Sequence, residues 1–395
     1  MPKGERAVRV TWRQVSAFRL TRHHLTRRAP ESELADVAAD MLGAQAQILQ
    51  AAQLSLWART RLPSIKNLED AIWKRRTLVR AWGMRRTMFL IPSDKLSLFV
   101  RGTARRPEYN YQYALKRVAS KEKLDRLLDR MIGVLAEPHT RNDLAASLKS
   151  MGYNLESKAG GGWGDSRSVP WVEVGNTSLP VGFLLHTMAA RYAICSGPST
   201  GAESTYVRAE RWVPKWRDMP QEKAEEELLL RYLRAHGPAN ITDYAIWIGL
   251  YVRDVKAIWP RVADKLEPVD IEGQKAWAIR SDVPEIEKAK IDGPVVRLLP
   301  FFDSFILGHK SHRNIVDESQ HKQVYRNQGW VSPVLLVNGR ATGVWSHAIK
   351  RDTLVVSVSP FSRLSAAVTS AVRREASELG GFLGCPEVKV SMGQA

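Results

Sequence analysis

Thr77-Leu78-Val79-Arg80-Ala81-Trp82-Gly83-Met84-Arg85-Arg86-Thr87-Met88-Phe89-Leu90-Ile91, followed by Pro92, is the stretch that decides the fold. Two runs of aliphatic, β-branched and aromatic residues flank Gly83 to Arg86, so the segment reads as two β-strands around a short turn. Upstream the periodicity is helical. Trp12, Val15, Phe18 and Leu20 share one face, while Arg13, Arg19, Arg22, His23, His24, Arg27 and Arg28 give a basic one. Pro30 opens a second helix with Glu31 and Glu33 in its first turn, and Gly43 suits its C-terminal cap. Gln53 to Trp57 continues as helix, Pro63-Ser64 turns, and a further helix runs from about Leu68 to Arg76. Helices followed by a two-stranded ribbon give the outline of a winged helix, a helix-turn-helix variant.

The outline returns twice. Residues 121–136 read as an amphipathic helix, Thr140-Arg141-Asn142-Asp143 as a capping box, and 179–190 as a third helix. The runs from Arg191 to Cys195 and Tyr206 to Val207 supply a ribbon. Further on, 221–236 is helical, Asn240-Ile241-Thr242-Asp243 caps the next helix, Val252 to Lys265 is helical, and Leu266 to Ile279 alternates about Gly273. Gly160, Gly161, Gly162 and Gly164 lack the Lys-Ser/Thr ending of a phosphate loop and read as a flexible loop. From Val295 the pattern shifts to short β-runs (Val295–Leu299, Phe305–Leu307, Val334–Val337, Thr342–Ser346, Thr353–Ser359), with a hairpin turn at Asn338-Gly339 and a closing helix from about Arg363 to Leu379. The expected architecture is α+β: three tandem winged-helix units at 1–120, 121–218 and 219–290, then an antiparallel β-barrel or sheet at 291–395.

The chain carries 59 Lys/Arg against 41 Asp/Glu, a formal charge of +18. Residues 1–120 hold 23 of those cations and nine of the anions, so +14 lies in the first third. Such clustering favours a polyanionic partner, with nucleic acid ahead of a membrane surface. Cys195 and Cys385 alone give neither a disulfide framework nor a cysteine zinc site. Without a signal-like or membrane-length apolar run, the expected setting is the cytoplasm; the expected state is a monomer.

Few constellations carry chemistry. Asp303, His309, His312 and His321 lie close together but lack the helical spacing of a hydrolytic zinc site, so no metal is expected. Neither a nucleophile elbow nor a dinucleotide fingerprint is present, and no cofactor is expected. What stands out is Leu42-Gly43-Ala44-Gln45-Ala46-Gln47-Ile48-Leu49-Gln50, inside a stretch from Glu31 to Ala58 without lysine or arginine. In an extended or turning segment residues i and i+2 face one way, so Gln45 and Gln47 can point together while Ala46 faces the core. A carboxamide is no general base near neutral pH, but it can hold a water or receive a base edge. With Gln50 and Gln53 nearby, the pair is also readable as ordinary cap or surface glutamines.

The whole chain resembles the AlkZ-like family of bacterial DNA glycosylases, also called the winged-helix DNA-binding domain family. The resemblance rests on the basic helix from Trp12 to Arg28, the Gln-Φ-Gln motif in Gly43-Ala44-Gln45-Ala46-Gln47, Arg80 to Thr87, and Leu298 to Lys310. It implies three winged helices around a β-barrel, double-stranded DNA as substrate, and excision of bulky alkylated purines, including N7-alkylguanines and interstrand crosslinks. Gln45 and Gln47 would then be catalytic. The surrounding basic residues suit phosphate contacts, with Arg19, Arg22, His23, Arg85, Arg86, His309 and Lys310 as candidates. Two departures matter: the family often has Arg-Gly-Thr where this chain has Arg85-Arg86-Thr87, and one branch has Gln-Φ-Asp. The competing expectation is a non-catalytic DNA-binding protein or transcription regulator on the same fold; a membrane-surface or RNA-binding protein ranks third.

Overall fold

Local capping signals translate directly into helices in the computed structural model, which describes residues 7–159, 168–189, 191–201 and 203–393. The glycine-rich loop at Gly160–Gly164 lies outside the described residues. Thr140 with Asp143, and Asn240 with Asp243, form reciprocal capping boxes for helices Arg141–Ser150 and Ile241–Ile248. A third box, Thr11 with Gln14, opens the helix Trp12–Arg22. That helix stops at Arg22 rather than Arg28, because His24 turns left-handed (φ 53°) and binds Asp40 through Nε2 at 2.8 Å.

Packing divides the chain into two compact units. One comprises residues 1–71, 89–92 and 226–395, the other residues 72–88 and 93–225. The segment 1–120 therefore contributes to both.

In the first unit, strand Val8–Val10 pairs in parallel with Val269–Ile271, at the edge of the hairpin Leu266–Ile271/Gln274–Ile279. Val10, Val15, Phe18, Val269, Ile271 and Ile286 make the core beneath it. Five strands, Val296–Leu299, Val334–Val337, Arg340–Lys350, Thr353–Pro360 and Glu387–Met392, follow one another in sheet order. Among the described residues this sheet is open, not a closed barrel. Its last pair is parallel, which requires a crossover, supplied by the helix Ala366–Leu383. Asn338 (φ 50°) and Gly339 (φ 84°) make the hairpin turn the sequence indicates. Phe305 to Leu307, by contrast, is a buried turn and not a strand. The Asp303 carboxylate accepts the Phe305 N–H at 3.0 Å, and Ile306 N–H returns to the Asp303 carbonyl, so side chain and backbone together curl the segment.

In the second unit, Leu78–Trp82, Ile194–Thr200, Glu203–Arg208 and His139–Thr140 form consecutive antiparallel neighbours. A separate three-stranded sheet holds Leu155–Ala159, Ser168–Val174 and Thr177–Pro180. Leu124, Leu127, Leu128, Met131, Leu144, Leu148 and Leu184 fill its core. The helix Arg105–Val118 has no counterpart in the sequence reading.

Candidate active site

The glutamine segment begins where the helix Leu34–Asp40 ends. Leu42 N–H bonds the Ala39 carbonyl and Gly43 N–H the Ala38 carbonyl, at 3.1 and 2.7 Å, which is a Schellman ending. Both Leu42 (φ 62°) and Gly43 (φ 81°) are left-handed, so the glycine sits one residue beyond the position usually given to it. Its own reason is space: a Cβ there would lie 3.0 Å from the Leu90 carbonyl and 3.3 Å from Phe89. That gap lets Ala44–Gln45 pair antiparallel with Leu90 and Phe89. Gln45 is buried, Ala46 is fully buried and Gln47 is exposed. The pair thus straddles the boundary between interior and solvent.

Two residues later the helix Leu49–Trp57 starts, without a side-chain cap at Ile48. Ser55 near its far end, and Arg59 just beyond, hold the chain to Asp303. Arg59 makes two bonds to the Asp303 carboxylate at 2.6 and 2.8 Å, and the Ser55 hydroxyl adds a third at 2.6 Å. The Arg59 and Asp303 side chains are wholly buried. Sequence reasoning missed this cluster and weighed Asp303 as a metal ligand; the available signal was Ser55 and Arg59 at i, i+4. On the other flank Arg28 lies 4.5 Å over the Trp57 ring and pairs with Glu375 and Glu378.

The basic candidates separate by burial. Arg19 is buried and donates to the carbonyls of Gly237 and Pro238 at 3.2 and 2.9 Å, beyond the C-terminus of the helix Gln221–His236. Burial draws its pKa down to about 10. Arg22 is tied to Asp282 and Glu285. His23 is fully buried, 4.7 Å from the His236 ring, and neither ring nitrogen has a hydrogen-bond partner. Burial first, then the neighbouring Arg59, His24, Arg19 and His309, hold its pKa well below the usual value. His309 is buried, its Nε2 2.8 Å from the His236 carbonyl, and burial likewise keeps it neutral. The neutral ring therefore carries its proton on Nε2 and donates it to that carbonyl. Arg85 is half-buried, and burial lowers its pKa to about 10. In this conformation only Arg86 and Lys310 of the seven are exposed.

His312 and His321 stack on Tyr325 and share a 3.3 Å contact, while Asp303 and His309 are engaged elsewhere. Among the described residues no group of three or more His, Cys, Asp or Glu is placed to hold a metal ion. Both cysteines are free and buried, and burial pushes the Cys195 thiol up to about 12. A cleft of about 610 Å³ is lined by Trp12, Arg13, Arg19, Asp243, His309 and Arg340 and includes neither glutamine. No helix among the described residues is long and apolar enough to cross a membrane.

Comparison with known proteins defines the class. The model described as "DNA glycosylase AlkZ-like" matches residues 38–382, and the chain belongs to this family of DNA glycosylases. Among its relatives, an "Interstrand DNA cross-link repair glycosylase" of Streptomyces sahachiroi is 28% identical over 397 residues, covering 97% of this chain and 99% of that protein. The solved structure of "Streptomyces sahachiroi DNA glycosylase AlkZ" shares the fold with a TM-score of 0.79 at 24% identity, over 98% of this chain and 100% of that one.

Proposed function

We propose that this DNA glycosylase hydrolyses the N-glycosidic bond of bulky alkylated purines, N7-alkylguanines above all, and that Gln45 and Gln47 orient the attacking water. The observation that carries the reading is the placement of the two amides: one buried, one exposed, on a turn fixed by a Schellman ending and a short strand pair. An N7-alkylguanine is already cationic, so its departure needs little general-acid help. The site's task is to hold water at C1′ and to leave the developing positive charge on the sugar unopposed. Water adds to C1′, the C1′–N9 pair leaves with the purine, and the water's proton goes to solvent. The absence of Lys and Arg from Glu31 to Ala58 suits a cationic transition state. The uncapped start of the helix Leu49–Trp57 supplies N–H groups for a flanking phosphate.

The relative's name supports interstrand crosslinks as substrates for this chain too. Crosslinked bases cannot swing out freely, which favours enclosing the lesion over flipping it. The helix and ribbon repeats at 1–120, 121–218 and 219–290 we infer to be winged helices that grip duplex DNA. Two of their second helices share a capping box, and each repeat carries two consecutive strands toward its end, followed in the first by the helices Leu96–Gly102 and Arg105–Val118. The test is single-turnover excision from a duplex carrying N7-methylguanine, with the abasic product cleaved and resolved on a gel. Q45A/Q47A is expected to bind the duplex and lose excision; excision at the wild-type rate defeats the assignment.

A further inference from the structure

Two loops of the first unit meet in an aromatic contact that the glutamines do not use. After strand Val296–Leu299 the chain turns through Pro300, Phe301 and Phe302. Phe302 is buried and left-handed (φ 58°), a conformation that is unfavourable for a bulky residue and persists only where its surroundings impose it. The result is that Phe301, its neighbour, stays 36% exposed. The second loop is a tight hairpin in which Arg326 N–H bonds the Trp330 carbonyl at 2.7 Å. Its tip, Asn327-Gln328-Gly329, is exposed, and Gln328 is left-handed as well (φ 58°). The Trp330 ring lies 5.8 Å from Phe301, edge to face, and 5.3 Å from Phe302.

The surface so made has an outward aromatic ring, an exposed guanidinium on Arg326 and two exposed amides. That is the chemistry of a nucleobase platform: a ring for the π-face, amides for a base edge, a cation for the phosphate. A protein partner would need a wider apolar patch than one phenyl ring and the edge of an indole. The platform is also fastened to the helix that follows the glutamines. Asp303, two residues after Phe301, is bound to Ser55 and Arg59 at the far end of the helix that follows Gln47.

We propose that Phe301 and the Arg326–Trp330 hairpin receive a base left without its partner at the lesion, stacking it on Phe301 while Arg326 meets a neighbouring phosphate. The position of the lesion rests on the glutamine reading above; the stacking itself does not. The test uses the full chain and two duplexes, one with 2-aminopurine opposite a tetrahydrofuran abasic analogue and one with it paired to thymine. Wild type is expected to favour the abasic duplex and to change its 2-aminopurine fluorescence. F301A should weaken binding to that duplex by roughly five- to a hundredfold, the range for one base–aromatic stack, and abolish the fluorescence change. Binding to the paired duplex should stay within about twofold, and F301W should restore both signals. R326A should weaken binding to the abasic duplex and retain the fluorescence change. An F301A variant that melts like wild type and keeps both preference and signal overturns the proposal. So does self-association of the wild type that F301A abolishes. Q45A/Q47A should keep the fluorescence response, so loss of excision and loss of stacking are read separately.

Discussion

Gln45 and Gln47 differ in exposure, and that difference sets what each can do. A buried amide keeps one orientation and can aim a water, whereas an exposed one exchanges water with bulk. If the absence of cations from Glu31 to Ala58 serves the transition state, adding one should cost rate but not binding. Gln50 is exposed and one helical turn from the motif, so Q50K is the conservative place to add it. At an effective dielectric near 20 and a distance of about 8 Å, the repulsion is on the order of 2 kcal/mol, a slowing of roughly tenfold or more. Single-turnover rates at saturating enzyme check this, and an unchanged rate removes the electrostatic argument. Arg86 invites the opposite experiment. It is exposed and left-handed (φ 60°), at the position where the family resemblance leads one to expect glycine. R86G should raise stability by about 1 kcal/mol through relief of that strain, measured by denaturant melts, while removing a candidate phosphate contact.

At the scale of elements, the buried Arg59–Asp303 pair fixes the helix behind the glutamines, and its removal is expected to be felt in stability first. D303N leaves the Arg59 charge without a countercharge in a dry site, at a cost of about 3–5 kcal/mol in equilibrium unfolding. R59M/D303L, which removes both charges, should recover most of that loss; if it does not, the pair is more than mutual compensation. These elements also show what a sequence discloses. Capping boxes at Thr140 and Asn240 were legible because the whole interaction lies within four residues. The ribbon about Gly83 and the hairpin at Asn338-Gly339 were legible for the same reason. The helix Arg105–Val118 was not, although its buried stripe of Pro107, Tyr111, Ala114 and Val118 keeps helical spacing: only Ala114 and Val118 are aliphatic, and charged and polar residues fill much of the rest. Strands Val8–Val10 and Glu387–Met392 pair in parallel, and their identity depends on partners the local pattern cannot name. Arg19, His23 and His309 were expected among the DNA contacts, yet neighbours distant in sequence bury all three. The glutamines were visible as a pattern; Asp303 was visible only as a residue set aside as a metal ligand, because its partners Ser55 and Arg59 lie more than 240 positions away.

For the whole molecule, buried neutral histidines make stability depend on pH. Burial holds His23 and His309 well below the ordinary histidine pKa and brings His186 and His312 to about 4. The unfolded chain titrates near 6.5, so below that pH it binds more protons than the folded one. The contribution is therefore complete above about pH 6.5 and is lost as pH falls toward 4. Each group accounts for up to about 1.4 kcal/mol per pH unit, less for the partly solvated His312. Urea midpoints at pH 7 and pH 5 test it: a midpoint at pH 5 no lower than at pH 7 contradicts the assignment of these histidines as neutral. Charge acts through DNA as well. The logarithm of affinity for undamaged duplex should fall linearly with log salt, and K310A should reduce the slope by about 1 if the exposed Lys310 meets a phosphate.

The parallel pairing of Val8–Val10 with Val269–Ile271 has a consequence for biosynthesis. The first strand leaves the ribosome more than 250 residues before its neighbour, and residues 93–225 are completed in between as part of a separate unit. Loop closure over that span is entropically costly and comes late. The unit carrying the glutamines is thus expected to mature only near the end of translation, after the inserted unit has folded. Protease resistance of arrested nascent chains would reveal that order, with protection of residues 93–225 preceding protection of the N-terminus. A chain so wired closes the sheet edge at Val8–Val10 only once residues 269–271 have been made.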